Sequence, residues 1–500
     1  MTKQTTNKLH MILNNHVTNP AIATPKTTPS HYATVITALL WTLFLGNFAS
    51  LIYCFFNPLS WTLGSLLYIN GFTLLLWTVV TFFGALVCSY ASNYLLGFAF
   101  YNRFMVLCFA FTLSVMLLVM ANHVALLITG WLLMGVFMSQ LIGVNASWGD
   151  AREAARFTQR YFLISTFFLT AGLLLLAFYS GVFTVTGLTT AVATMPGYAV
   201  ITAALCIIAA AIIQSAIFPF HKWLLSAMTA PTPASALMHA GFVNGSGILL
   251  ALFASVIVTS QTLDVLLVIG GLTAILAQFT KLLQVNVKQK LACSTIAQMG
   301  FMIMQCGLGF FNAAIAHLIL HGFYKAYLFL ASGEEVTHMA PQRPEAIKIK
   351  PLQAVVVGVY GVLGAFLFTA LTGKGNTLDS SIFLTLIVAI TVGQVTYNIL
   401  KQQVLTTLQK VVAPPVLFIV GIGVYALLYN IVTVLMQDLP MVAAGTPLSG
   451  MQIAFGIIFL VGFFIMKLGD YRNIPWLYVK LMNLTQPYKK TTLLFKTTSK

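Results

Sequence analysis

The sequence predicts an all-α polytopic membrane protein with about fourteen transmembrane helices, and three observations carry that prediction. Of 500 residues, 59% are hydrophobic and only 7% are charged, with a mean hydropathy of +0.92, a balance foreign to soluble domains. The apolar residues fall in long unbroken runs without alternation, which excludes a transmembrane β-barrel. Lys and Arg gather in every second loop between those runs.

The runs lie at roughly 34–56, 63–91, 101–120, 122–144, 157–182, 197–218, 233–258, 262–283, 290–310, 312–333, 352–372, 381–400, 412–436 and 449–469. After even-numbered runs come Arg103, then Arg152, Arg156 and Arg160, then Lys222, then Lys281, Lys288 and Lys290. Arg343, Lys348 and Lys350, then Lys401 and Lys410, then the tail from Arg472 to Lys500 continue the series. Loops after odd-numbered runs carry almost no Lys or Arg, Lys374 being the exception. The positive-inside rule therefore predicts both termini in the cytoplasm of a multi-pass protein of the cell membrane.

The formal charge of +16 then sets topology and meets anionic lipid; the lipid bilayer is the expected partner and nucleic acid is not. The polar first 30 residues read as a tail, and the first apolar run starts too late for a cleaved signal peptide. Cys54, Cys88, Cys108, Cys206, Cys293 and Cys306 all sit inside apolar runs with no C-x-x-C pair. They read as small core residues, so neither metal, disulfide nor cofactor is expected.

Two places break the helical pattern. IFPFHKWLLSAMTAPTPASALMHA carries Pro219, Pro231 and Pro233, and proline removes a backbone donor and disfavours helix just before it. A broken helix with a short piece at 221–229 is expected there. In TALTGKGNTLDSS, over 369–381, Gly373 and Gly375 flank Lys374. Breaks at corresponding places in two halves suit an inverted-repeat transporter with sites near the membrane midplane. The expected organisation is a polar tail (1–33), two leading helices (34–100), five-helix repeats at 101–260 and 261–402, closing helices (403–470) and a basic tail (471–500).

The stretch NAAIAHLILHGFYKAYLFLASGEE, Asn312 to Glu335, places His317, His321 and Lys325 at four-residue intervals. That spacing keeps them on one helix face, in a line about 12 Å long. Ionisable groups at that depth are costly and point to an ion or proton pathway; histidines bonded to a neighbouring helix's carbonyls are the plainer reading. Lys325 would be costly as a permanently charged, unpaired cation, so a lowered pKa or a carboxylate partner is expected. Glu334 and Glu335, about two turns further, serve either as counter-charges at an exit or as solvated helix-end residues. His221 and Lys222 are either a snorkelling pair or the mouth of the pathway. No nucleophile triad, P-loop or zinc cluster is present, so this chain is expected to be a transport subunit and not an enzyme.

SAIFPFHKWLLSAMTAPTPASALMHAGFVNGSGILL, with KQKLACSTIAQMGFM and the Asn312–Glu335 stretch, resembles the antiporter-like membrane subunits of respiratory NADH:quinone oxidoreductase and of Mrp sodium/proton antiporters. The resemblance implies an antiporter-like fold of two inverted repeats and a central row of Lys and His. By motif it assigns proton-relay positions to His239, Lys288, His317, His321 and Lys325, and likens Lys374 to the family's broken-helix lysine. An interhelical hydrogen-bonded histidine is the plainer reading of His239. The resemblance also implies a Glu after the Trp of the fourth span and a Lys ahead of the proline break; here those positions hold Leu132 and Gln214.

Loss of that acid/base pair, with the ending LYVKLMNLTQP, resembles a branch of the same superfamily, the DabB-type subunits of inorganic-carbon accumulation complexes. It implies a zinc-bearing DabA-like partner subunit that hydrates CO2 to bicarbonate, driven by ion flow through the membrane subunit. The alternatives are a cation/proton antiporter or NADH-quinone oxidoreductase subunit, and a degenerate channel that anchors a peripheral enzyme.

Overall fold

The computed structural model describes residues 29–332, 351–401, 406–443, 445–468 and 470–488. The chain runs through helices α1 (His31–Phe56), α2 (Gly71–Tyr94), α3 (Tyr101–Met120), α4 (Val124–Ile142) and α5 (Gly149–Ser180). The short α6 (Val185–Ala191) leads to α7 (Gly197–Gln214). A fragmented segment follows: α8 (Lys222–Ser226), α9 (Thr232–Ala240), α10 (Gly245–Leu252) and α11 (Ala254–Thr259). Long helices resume with α12 (Leu263–Lys281), α13 (Val287–Gly307), α14 (Phe311–Ala331), α15 (Pro351–Thr372), α16 (Ile382–Lys401), α17 (Thr407–Leu435) and α18 (Gly450–Leu468). The last element is α19 (Pro475–Leu484). A two-stranded antiparallel ribbon, β1 (Trp61–Leu63) and β2 (Leu67–Ile69), joins α1 to α2.

Local chemistry sets the boundaries. Asn70 accepts from the Thr73 amide to start α2, and Asn286 accepts from the Lys288 and Gln289 amides to start α13, both satisfying donors that a helix start leaves open. Gly181, at φ +68°, ends α5 in the left-handed conformation that costs glycine little. Pro233 sits in the first turn of α9, where a missing N–H is harmless. The expected short piece after Pro219 is present as α8 and a 3-10 turn over Ala227–Thr229.

Helices alternate in direction. At one end of the bundle, bridges join Leu67 to Ala121, His123 to Thr184, Phe310 to Ala443 and Asp379 to Pro447; Gly71, packed on Leu435, ties the first helices to the later ones. The short α8 and α19 meet at the opposite end, where His221 bonds to the Leu484 carbonyl and the Tyr488 amide to Ser226. Residues 373–381 form a connection between the complete helices α15 and α16, so Lys374 stands in a loop and not inside a helix break.

Among the described residues, eleven helical segments are long and apolar enough to cross a membrane. The segment 232–252 is 94% buried, whereas the apolar window of α1 is 6% buried. The broken helix is thus the axis of the bundle, and α1 is a lipid-facing outer layer. Helices α12 and α13 form the tightest pair: a Cβ on Gly300 would lie 2.6 Å from Ala274 N and 2.7 Å from Gly270 O. Small residues permit that backbone approach.

Candidate functional site

Helix α14 holds the predicted row in the predicted register. The His317 and His321 rings lie 6.1 Å apart, nearly parallel at 13°. One turn on, Lys325 is fully buried, and its Nζ donates to the Leu291 carbonyl of α13 at 3.2 Å. One further turn on, Phe329 stacks at 4.3 Å and 13° on His239, which comes from α9. Lys288, in the first turn of α13, donates from Nζ to the Ala230 carbonyl at 3.0 Å. That carbonyl is exposed to bonding because Pro231 interrupts the chain directly after it. The proline break and the α13 start therefore meet at one lysine, and the two halves of the chain share the row.

The row's polar atoms outnumber their protein partners. Both ring nitrogens of His239 and of His321, Nε2 of His317, Oε1 of Gln305, Oδ1 of Asn244 and both amide atoms of Gln214 are buried without one. Orphaned buried polar atoms are rare in folded proteins, and internal water is the partner that chemistry leaves for them. An imidazole can accept at one nitrogen and release from the other, so hydrated histidines in a line can relay protons.

No carboxylate balances the row among the described residues. Asp150 and Glu153 begin α5, Asp264 begins α12, and Asp379, Asp438 and Asp470 stand in end connections. The one ion pair among those residues is Arg156–Glu153 at 2.7 Å, on the surface. The carboxylate expected for Lys325 is thus absent among the described residues, and a main-chain carbonyl stands in its place.

The remaining predicted positions divide. His221 is buried and bonded through Nε2 to the Leu484 carbonyl of α19 at 2.7 Å, while Lys222 is exposed. Burial, with the neighbouring Lys222 charge, pushes the His221 pKa down to about 4 despite bonding to Leu484 and Pro219. Gln214 is buried and Leu132 half-buried; Trp131, next to Leu132 in the chain, donates from Nε1 to Ser165 Oγ at 3.1 Å. Lys374 lies apart from the row, with its ammonium 4.7 Å from the centre of the Phe310 ring. Burial raises the pKa of Asp379 in the same connection, but hydrogen bonds from Ser381 and Thr377, with the Lys374 charge, hold it below its ordinary value. Glu334 and Glu335 lie outside the described residues.

Several site residues escaped the sequence reading. Gln305 lines one cavity with His317, Ser215 donates to the Val243 carbonyl and pairs with Ser246 across the break, and Asn312 donates to Tyr429 and Thr433 of α17. Their signal was present, as lone polar residues inside apolar runs.

A family described as NADH:quinone oxidoreductase/Mrp antiporter, transmembrane, matches residues 121–400, which include the broken helix and the whole of the row. The chain belongs to this family. It is 34% identical over 305 residues to the probable inorganic carbon transporter subunit DabB of Bacillus anthracis, covering 60% of each chain. It is 36% identical over 318 residues to the probable subunit DabB1 of Halothiobacillus neapolitanus, covering 60% of this chain and 55% of that one. The chain thus spans little more than half the length of these relatives. Among solved structures, the Mrp complex from Dietzia sp. superposes with a TM-score of 0.63 at 21% identity, over 91% of this chain and 55% of that one. That likeness shows the fold.

Proposed function

We propose that this chain is the proton-conducting membrane subunit of an inorganic-carbon transporter in the cell membrane, with both termini cytoplasmic. The observation that carries the reading is the partly unpartnered line Lys288, His239, Lys325, His321 and His317, buried at its three central residues, in a chain similar to DabB subunits. In this reading a proton enters by the connection that holds Lys374 and passes along the line. It leaves near His221 and Lys222 on the cytoplasmic side, with Glu334 and Glu335 as counter-charges at that end. Residues 101–260 and 261–402 act as the two repeats that carry the half-channels.

The partner is a zinc-bearing DabA-like subunit on which CO2 is hydrated to bicarbonate, so the chemistry is the partner's and the drive is this chain's. Each charge crossing 100 mV releases about 2.3 kcal/mol. One or two protons thus suffice to shift a hydration equilibrium by one to a few powers of ten, provided protonation of the row and the state of the partner's site are coupled.

The test is Lys325→Ala in cells whose growth depends on carbon accumulation. Accumulation lost while the complex still co-purifies is the expected result; accumulation retained overturns the reading. Leu132 and Gln214, which stand where the resemblance implies an acid and a base, favour a second reading, a membrane anchor with a degenerate channel, and the same substitution separates the two. A cation/proton antiporter would instead show sodium-dependent uptake that persists with an uncoupler present.

A further inference from the structure

A cavity of ≈ 820 Å3 opens between the row and the later helices. Helices α12, α13 and α14 form one wall, and α15, α16, α17 and α18 form the other. Most of its lining is hydrocarbon, as at Ile275, Phe301, Leu384, Val388 and Phe418, interrupted by seven polar side chains, Gln278, Gln298, Gln305 and His317 among them. Two of these groups, Gln305 Oε1 and His317 Nε2, are buried without a protein partner. Gln305 is 2% exposed and lies in the last turn of α13. The outer rim includes Tyr324, Thr391, Leu417 and Gly421, all exposed on the sides of membrane-spanning helices.

This space has the size and lining of a small-molecule site, with mostly apolar walls and a few convergent polar groups. Water bonded to Gln305 and His317 occupies the polar edge of the space but is a poor occupant of the rest. The volume would hold on the order of tens of waters, each needing two to four polar partners, and the walls offer only a handful. A cavity this large left empty would forfeit dispersion contacts along its entire lining. Its rim faces bilayer hydrocarbon, so acyl chains stand at the opening at solvent concentration. From Ala297 to Gln305 the cavity follows α13 for about 12 Å, which suits an extended chain and not a compact solute.

We infer that the cavity holds one membrane phospholipid, its acyl chain inserted between α13 and α17 and its ester region near Gln305. Bound there, the chain covers the flank of His317 and separates the histidine row from bulk lipid. It also fills the gap between the first-half core and the later helices, so that those helices are held through lipid as well as through protein.

The test uses a phosphatidylethanolamine with a diazirine in mid-chain, incorporated into membranes holding the full-length protein and activated by light. Adducts should appear on the peptide carrying Ala297–Gln305 and on the inward positions of α17, Phe418, Ile422 and Tyr425. Adducts confined to outward residues such as Val359 and Phe366 overturn the inference. Ala297→Phe, which occupies the cavity, should reduce the interior adducts at least fivefold without changing those on α1. Should Ala297→Phe fail to fold, Val388→Cys decides the matter. Labelling by a membrane-permeant apolar maleimide, with none by a charged water-soluble one, supports lipid; rapid labelling by the charged reagent means a water-filled vestibule and overturns it.

Discussion

The ammonium of Lys325 meets the carbonyl oxygen of Leu291 at 3.2 Å, across the contact of α14 with α13. No acid shares that position among the described residues, so a charged Lys325 rests on a main-chain dipole and whatever water reaches it. A permanent ion pair would hold a proton in place. A dipole and a line of imidazoles leave it free to move on.

Lys325→Met therefore separates conduction from stability. The substitution removes a buried cation and keeps the side chain's volume, which in comparable sites is neutral or stabilising. Proton flux in proteoliposomes, followed with a trapped pH dye, is expected to fall at least tenfold. The thermal midpoint should stay level or rise. A drop in the midpoint with flux unchanged would assign Lys325 a packing role.

Gly322 sets how closely α14 approaches the broken helix. A Cβ there would lie 2.9 Å from Phe83 Cε2 and 3.0 Å from the Ala240 carbonyl, next to His239. Gly322→Ala is expected to cost about 1–3 kcal/mol through forced separation of the helices and to lower flux by more than that loss explains. Gly358, in α15, has open space at its Cβ, so Gly358→Ala should leave both measurements unchanged.

Trp131, Ser165 and Ala210 tie α4, α5 and α7 together. The indole donates to Ser165 Oγ at 3.1 Å, and that hydroxyl donates to the Ala210 carbonyl at 2.8 Å. Ser165→Ala leaves a buried indole N–H without an acceptor, at about 1–3 kcal/mol. Ser165→Cys, which keeps a weak acceptor, should recover part of the loss in thermal unfolding.

The parts of this molecule legible in the sequence are those fixed by short-range rules. Four-residue spacing put His317, His321 and Lys325 on one face, and the prolines at 219, 231 and 233 marked the break, because both depend only on neighbours along the chain. Contacts between distant segments were not legible. That Lys288 reaches the Ala230 carbonyl, or that His239 stacks on Phe329, follows from how α9, α13 and α14 cross, and hydropathy carries no such information. The 369–381 segment reads as a break from its glycines, yet Gly373 and Gly375, at φ +67° and +85°, shape an ordinary connection. Turn chemistry looks the same whether it ends one helix or splits another.

His221 gives the fold a pH dependence that can be read at the C-terminal segment. Its Nε2 bonds to Leu484, and beside it the Tyr488 amide donates to Ser226 Oγ at 2.9 Å while the Tyr488 ring stacks on Phe157 at 4.3 Å. Burial sets the folded pKa at about 4, against about 6.5 for a free imidazole. Above pH 6.5 the ring is neutral in the docked and undocked states alike, so docking is at full strength. As pH falls from 6.5 towards 4, the undocked state takes up a proton that the docked state refuses, and docking weakens by up to about 3 kcal/mol. Hydrogen exchange of the 475–488 amides, corrected for intrinsic rates, should therefore accelerate across that window and level off below it. His221→Phe, which fills the site without titrating, should flatten the profile; a wild-type profile that is already flat would mean that His221 does not control the docking of α19.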